Sequence, residues 1–190
     1  MKLMSLKCPR CQGDLEGDNN NRVFFCRECA VGVDFSRGRQ QEFALDFAAP
    51  AKESAADWQY FAFWRYEASY QRDPPDDQEE EGRSHRFWVP AFFIKNISYF
   101  GDIGLFYSNQ EVDPATDRCR RAPIFAADRG EAHAAVYPRV YAAVRETARG
   151  ARVVDLTPHS IRLTLVPFFH KGREFVDSQL GWIYPRGALI

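Results

Sequence analysis

Four cysteines near the start constrain this chain more than any other feature: Cys8-Pro9-Arg10-Cys11 and Cys26-Arg27-Glu28-Cys29. A Cys-x-x-Cys pair can place both sulfurs on one ion, because two intervening residues let the backbone curl into a knuckle. Two knuckles complete the tetrahedral four-thiolate shell typical of structural zinc, with Zn–S near ~2.3 Å. Such a shell is closed and leaves no position for activated water, so no metal catalysis is expected. Pro9 fixes the backbone directly after Cys8. Gly13 follows Cys11 closely, and Gly32 follows the second pair, where a positive φ is expected to be needed.

Between the knuckles, Asp18-Asn19-Asn20-Asn21 is a turn cluster, Arg22 to Phe25 reads as a strand returning to the metal, and Val31 to Phe35 as a third short strand. Residues 1–36 therefore resemble a zinc ribbon, a small three-stranded antiparallel module with one structural Zn2+ on Cys8, Cys11, Cys26 and Cys29. Disulfides fit less well, because no signal peptide accompanies the closely paired cysteines. A thioredoxin-like pair wants a βαβ context that is absent. Four thiolates also suit a rubredoxin-like iron centre.

The 190 residues suit a small module plus one medium domain. Aromatics make up 15% of them, which favours strands and a well-filled core over a helical bundle. A formal net charge of -1 gives no global field toward nucleic acid or an anionic membrane. The first cysteine at position 8 leaves no room for a secretory leader. The most apolar long stretch, Phe87 to Phe106, is broken by Pro90, Lys95, Asn96, Gly101 and Asp102. A cytoplasmic protein without direct membrane insertion is expected.

Residues 37–57, Ala-rich and containing Pro50, read as a linker with one short helical turn near Glu53 to Asp57. Residues 58–190 read as a β-rich, antiparallel α+β domain. Trp58 to Tyr70 alternates over many aromatics, which predicts a long strand buried on both faces at its start and on one face later. Residues 72–86 form an acidic loop joining it to an antiparallel partner at Arg86 to Ile97, where Pro90 marks an edge, bulge or bend. Ile97 to Phe106 reads as a loop and a short segment of undefined type. The main helix is expected at about 131–149, with Val136, Val140, Ala143, Val144 and Thr147 as its apolar face; Pro138 either begins it or kinks it. Ser160 to Phe169 and Glu174 to Asp177 read as strands joined by a glycine turn at Gly172, and Gly181 to Pro185 as a last strand or docked tail.

With these pieces in view, the chain resembles a group of bacterial zinc-ribbon proteins. In that group an N-terminal ribbon precedes β-rich segments with Pro-Phe-Trp or Pro-Phe motifs. The matching pieces are the two cysteine pairs, Phe61-Ala62-Phe63-Trp64-Arg65, with alanine where proline is commoner, and Val166-Pro167-Phe168-Phe169. The resemblance implies an accessory or assembly role without catalytic residues. The residues themselves agree with that. His85, His133, His159 and His170 show no metal spacing, and neither a Walker loop nor a Gly-x-Ser-x-Gly occurs. Cys119 lies among Arg118, Arg120 and Arg121, which can activate a thiol, but no histidine partner is identifiable. The leading expectation is a non-catalytic adaptor or structural subunit binding protein partners, its oligomeric state open. The alternative is nucleic-acid binding through Arg10, Arg22 and Arg27 of the ribbon and an arginine-rich C-terminal half.

Overall fold

The computed structural model describes residues 6–17, 21–35, 38–51, 57–73, 83–117, 123–125 and 127–189. Strands β1 (Val23–Cys26), β2 (Val31–Asp34) and β3 (Gln41–Phe47) open the fold, followed by β4 (Trp58–Asp73) and β5 (His85–Pro90). Helices α1 (Ile97–Phe100), α2 (Ile103–Asn109), α3 (Glu131–Ala134) and α4 (Tyr137–Ala148) come next. Strands β6 (Arg152–Lys171), β7 (Glu174–Asp177) and β8 (Ile183–Pro185) close the chain. The expected turn at Asp18 to Asn20, the helical turn from Glu53, the acidic residues 74–82 and Cys119 with Arg118, Arg120 and Arg121 lie outside the described residues.

One mixed sheet carries all eight strands, in the order β1-β2-β3-β6-β4-β5, with β7 on the far part of β6 and β8 on β7. The α+β expectation holds, with a mostly β sheet. It is antiparallel except where β3 runs parallel to β6, Leu45 opposite Leu163 and Phe47 opposite Leu165. Gln41–Phe47 was expected within the 37–57 linker and is instead a strand. It pairs with β2 on one side and β6 on the other, so the four-cysteine region and the rest share one sheet. Its own residues explain this: Phe43, Leu45 and Phe47 are buried on one face, while Glu42 and Ala44 face water.

The long aromatic strand is the spine. Tyr60 to Trp64 of β4 are fully buried, and further on burial falls mainly on Tyr66 and Ala68. Tyr60, Ala62, Trp64 and Tyr66 point into one core layer with Phe87, Leu163, Leu165 and Tyr141. Phe61 and Phe63 point into the other with Trp88, Tyr107, Phe168, Phe175 and Tyr184. Each such side chain contributes roughly 1.5–3 kcal/mol on burial, so this alternation alone commits the strand to a central position. Strand β5 pairs along β4 from Phe63 opposite Pro90 to Ala68 opposite His85. Pro90 thus sits at the strand end, where its missing donor costs no ladder bond.

Residues 97–109 hold two short helices. Asp102 caps α2 by accepting from the backbone N–H of Gly104 (2.9 Å) and Leu105 (3.4 Å). Gly104 lets α2 lie directly on β5: a Cβ there would sit 2.3 Å from the Trp88 carbonyl oxygen.

The helix expected at about 131–149 is divided. A turn at Ala135 and Val136 separates α3 from α4, and Pro138 sits in the first turn of α4, where a missing N–H is harmless. The expected inner face is wrong in a specific way. Val136, Val140 and Val144 are exposed, whereas Pro138, Tyr141, Ala142 and Glu146 are buried. The inward carboxylate is tolerated because Tyr70 Oη and Arg72 Nη1 donate to Glu146 at 2.7 and 3.0 Å.

Candidate metal centre

The two knuckles form on different supports. Cys8 follows Lys7, which bridges to Asp14, and the loop between closes through Cys8 N–H to the Gly13 carbonyl (2.8 Å) and Gln12 N–H to the Cys8 carbonyl (2.9 Å). Cys26 ends β1, and Cys29 lies in the turn to β2. Glu16 and Phe25 exchange both backbone hydrogen bonds (2.8 and 2.9 Å), which clamps the first knuckle against the second. Ala30 then accepts from the Leu45 N–H at 3.1 Å, tying the second knuckle to β3.

Positive φ falls at Gln12 (61°) and Ala30 (49°), each directly after the second cysteine of its pair. The glycines expected to carry it do other work. Gly13 lies against the Cys11 sulfur, where an added Cβ would come within 3.3 Å. Gly32 lies within β2, where a Cβ would meet Leu163 Cδ2 at 2.5 Å. The knuckles therefore repeat each other, with the positive φ one residue before Gly13 in the first and two before Gly32 in the second.

The sulfurs of Cys8, Cys11, Cys26 and Cys29 all lie within 4.8 Å of one another, and Cys11 Sγ is 3.6 Å from Cys26 Sγ. Zn–S bonds of ~2.3 Å imply tetrahedral S–S edges of about 3.8 Å, so the cluster fits one four-coordinate ion. All four are free cysteines, with Cys8 and Cys26 buried and Cys11 exposed. Leu15, Val31, Val33 and Phe35 wall the buried side.

The thiols do not ionise alike. Burial raises Cys8, but donation from the Cys11 and Arg10 backbone N–H groups outweighs it and brings the thiol to about 7. Hydrogen bonding to Cys11, then burial, pushes Cys29 up to about 12, and burial raises Cys26. A cation bound among the sulfurs would favour the thiolate form that metal ligation requires. When bound, an ion here would supply cross-linking of the two knuckles. Around it Arg10 pairs with Glu42 (2.6 Å), Lys7 with Asp14 (2.7 Å) and Arg27 with Glu16 (2.7 Å).

A groove of about 600 Å³ opens beside the centre, lined by Cys11, Gly13, Asp14, Glu16, Cys26, Arg27, Glu28 and Pro123. Nothing in the cysteine spacing announces this groove, because Pro123 comes from a distant loop.

The histidines stay apart from the cysteines. His85 is buried and stacked on Tyr70 at 4.6 Å, His133 lies beside Phe93 and Tyr137, and His159 meets Ser69 Oγ at 2.9 Å. His170 contacts Arg186, and burial and that arginine lower it from its ordinary value. Among the described residues only the four cysteines form a metal-ligating group. No family model matches the chain, and no curated protein or solved structure showed a match. No helix among the described residues is long and apolar enough to cross a membrane.

Proposed function

We propose that this chain is a non-catalytic zinc-ribbon adaptor, or structural subunit, making protein–protein contacts in a bacterial cytoplasmic assembly. The observation that carries the reading is the outer side of α4 and the turn leading into it, where Val136, Val140 and Val144 are 60%, 50% and 47% exposed. Valine is a poor helix former, and an exposed helix position is usually filled by Lys, Glu or Gln. Three of them in one solvent-facing stripe suit a partner. The metal centre serves this role by stiffening the end of the shared sheet, with zinc as the ion on Cys8, Cys11, Cys26 and Cys29.

Nucleic-acid binding, the alternative proposal, has fewer cations to draw on. Arg10, Arg27, Arg152 and Arg162 face Glu42, Glu16, Asp73 and Asp46 at 2.6 to 2.7 Å. Arg129 is buried between the rings of Phe93 and Tyr137. Among the described residues, exposed Arg22, Arg39, Lys95, Arg139, Lys171 and Arg173 remain for phosphates.

Native mass spectrometry of protein purified gently from its own host tests the reading. Stoichiometric protein subunits are expected with the wild type and absent with Val140→Asp, a surface change costing no more than about 0.5 kcal/mol of stability. Subunits retained by that variant contradict a role for α4. Bound nucleic acid released by modest salt instead favours the alternative.

A further inference from the structure

The four thiols are not equally reachable, and the groove beside the centre selects among them. Cys8 is completely buried and Cys26 only 3% exposed, while Cys11 is exposed. Of the four, Cys11 and Cys26 line the groove, and their sulfurs stand 3.6 Å apart. Gly13 keeps the way open, since a side chain there would lie 3.3 Å from the Cys11 sulfur. The rim carries Asp14, Glu16 and Glu28; Lys7 pairs with Asp14 and Arg27 with Glu16, so Glu28 sets a net negative charge. A rim of that sign admits a small neutral reagent and disfavours an anionic one.

We propose that Cys11 is a modification site, the thiol through which a neutral peroxide opens the metal centre, with Cys26 as its resolving partner. The inference rests on the metal-centre reading above. The Cys11 thiolate attacks the peroxide oxygen: an S–O bond forms, the O–O bond breaks and hydroxide leaves, giving a sulfenic acid. The Cys26 thiolate then attacks that sulfur, an S–S bond forms and a second hydroxide leaves. Sulfur is oxidised, the peroxide is reduced to two hydroxides that the buffer acid protonates to water, and the ion loses two of its four ligands. The resulting bridge joins the first knuckle to the end of β1, across the pairs rather than within one.

The test treats metal-loaded full-length protein with hydrogen peroxide and follows ion release with a chromogenic chelator. Differential alkylation and peptide mass spectrometry identify the bridged cysteines in the same samples. A Cys11–Cys26 disulfide is expected first, with one ion released per bridge and a slower reaction with oxidised glutathione, which is anionic. Gly13→Ala removes no ligand and is expected to keep its metal while slowing both readouts. A first bridge within either Cys-x-x-Cys pair, oxidation of Cys119 ahead of Cys11, or an unchanged rate in Gly13→Ala overturns the proposal. Protein that holds no ion overturns the metal-centre reading instead, and the order of bridging in that same sample still decides the thiol assignment.

Discussion

Replacing Glu146 by alanine is expected to destabilise the fold by about 2–3 kcal/mol. The carboxylate is fully buried on α4 and accepts from Tyr70 Oη at 2.7 Å and Arg72 Nη1 at 3.0 Å, with Arg149 Nη1 at 3.4 Å. Deleting it removes an acceptor shared by a part-buried phenol and a mostly buried guanidinium, a loss of two hydrogen bonds to an ionised carboxylate. Other contacts of Arg72 and the half-exposed Arg149 keep the cost below the extreme for a broken buried pair. Urea unfolding reads the effect directly: with a slope of about 2–3 kcal/mol per molar, the midpoint falls by roughly 1 M. Burial raises the Glu146 acid, but the Tyr70 and Arg72 bonds outweigh it and hold it below the ordinary value of 4.5. A depressed carboxylate stabilises above its unfolded value and loses that contribution as pH falls through the folded one. The gap between wild type and variant should therefore shrink below about pH 4.5. A variant within 0.5 kcal/mol of wild type at pH 7 (about the noise of a surface substitution), or a gap that grows on acidification, refutes the reasoning.

Two further substitutions probe the backbone. Gly104→Ala places a Cβ 2.3 Å from the Trp88 carbonyl oxygen and 2.6 Å from Pro90 Cδ, and neither can retreat within a packed strand. It is expected to cost about 1–3 kcal/mol in denaturant unfolding, and a neutral result would show that α2 does not lie so close to β5. Ala30→Gly relieves a left-handed residue at φ 49° and is expected to stabilise the metal-loaded protein by about 0.5–1 kcal/mol. A loss of stability would contradict the knuckle geometry.

The cysteine spacing and the aromatic alternation of β4 were legible because both are local signals carried by chemistry that admits few alternatives. Strand β3 was legible in principle: Phe43, Leu45 and Phe47 alternate, but the Ala-rich flank and Pro50 drew the segment into a linker reading. Its parallel pairing with β6 joins residues more than a hundred positions apart, and no local pattern encodes that. The inverted α4 has a sharper cause. Periodicity treats Glu146 as an outward residue and the valines as inward ones. Tyr70 and Arg72, far away on β4, reverse that assignment by satisfying the carboxylate inside. The positive-φ residues Gln12 and Ala30 were missed because glycine is the usual signal for that conformation, and here the turn after each cysteine pair places it on other residues. The groove that exposes Cys11 depends on Pro123, which only the tertiary fold brings to the knuckles.

The most direct test of the account is metal content by native mass spectrometry on wild-type protein and on Cys26→Ser, each purified without added metal or chelator. One zinc ion per wild-type chain, and none on the variant, is the result predicted for a four-thiolate centre built from Cys8, Cys11, Cys26 and Cys29. A wild-type chain free of metal, or a variant that keeps a full ion, would contradict it.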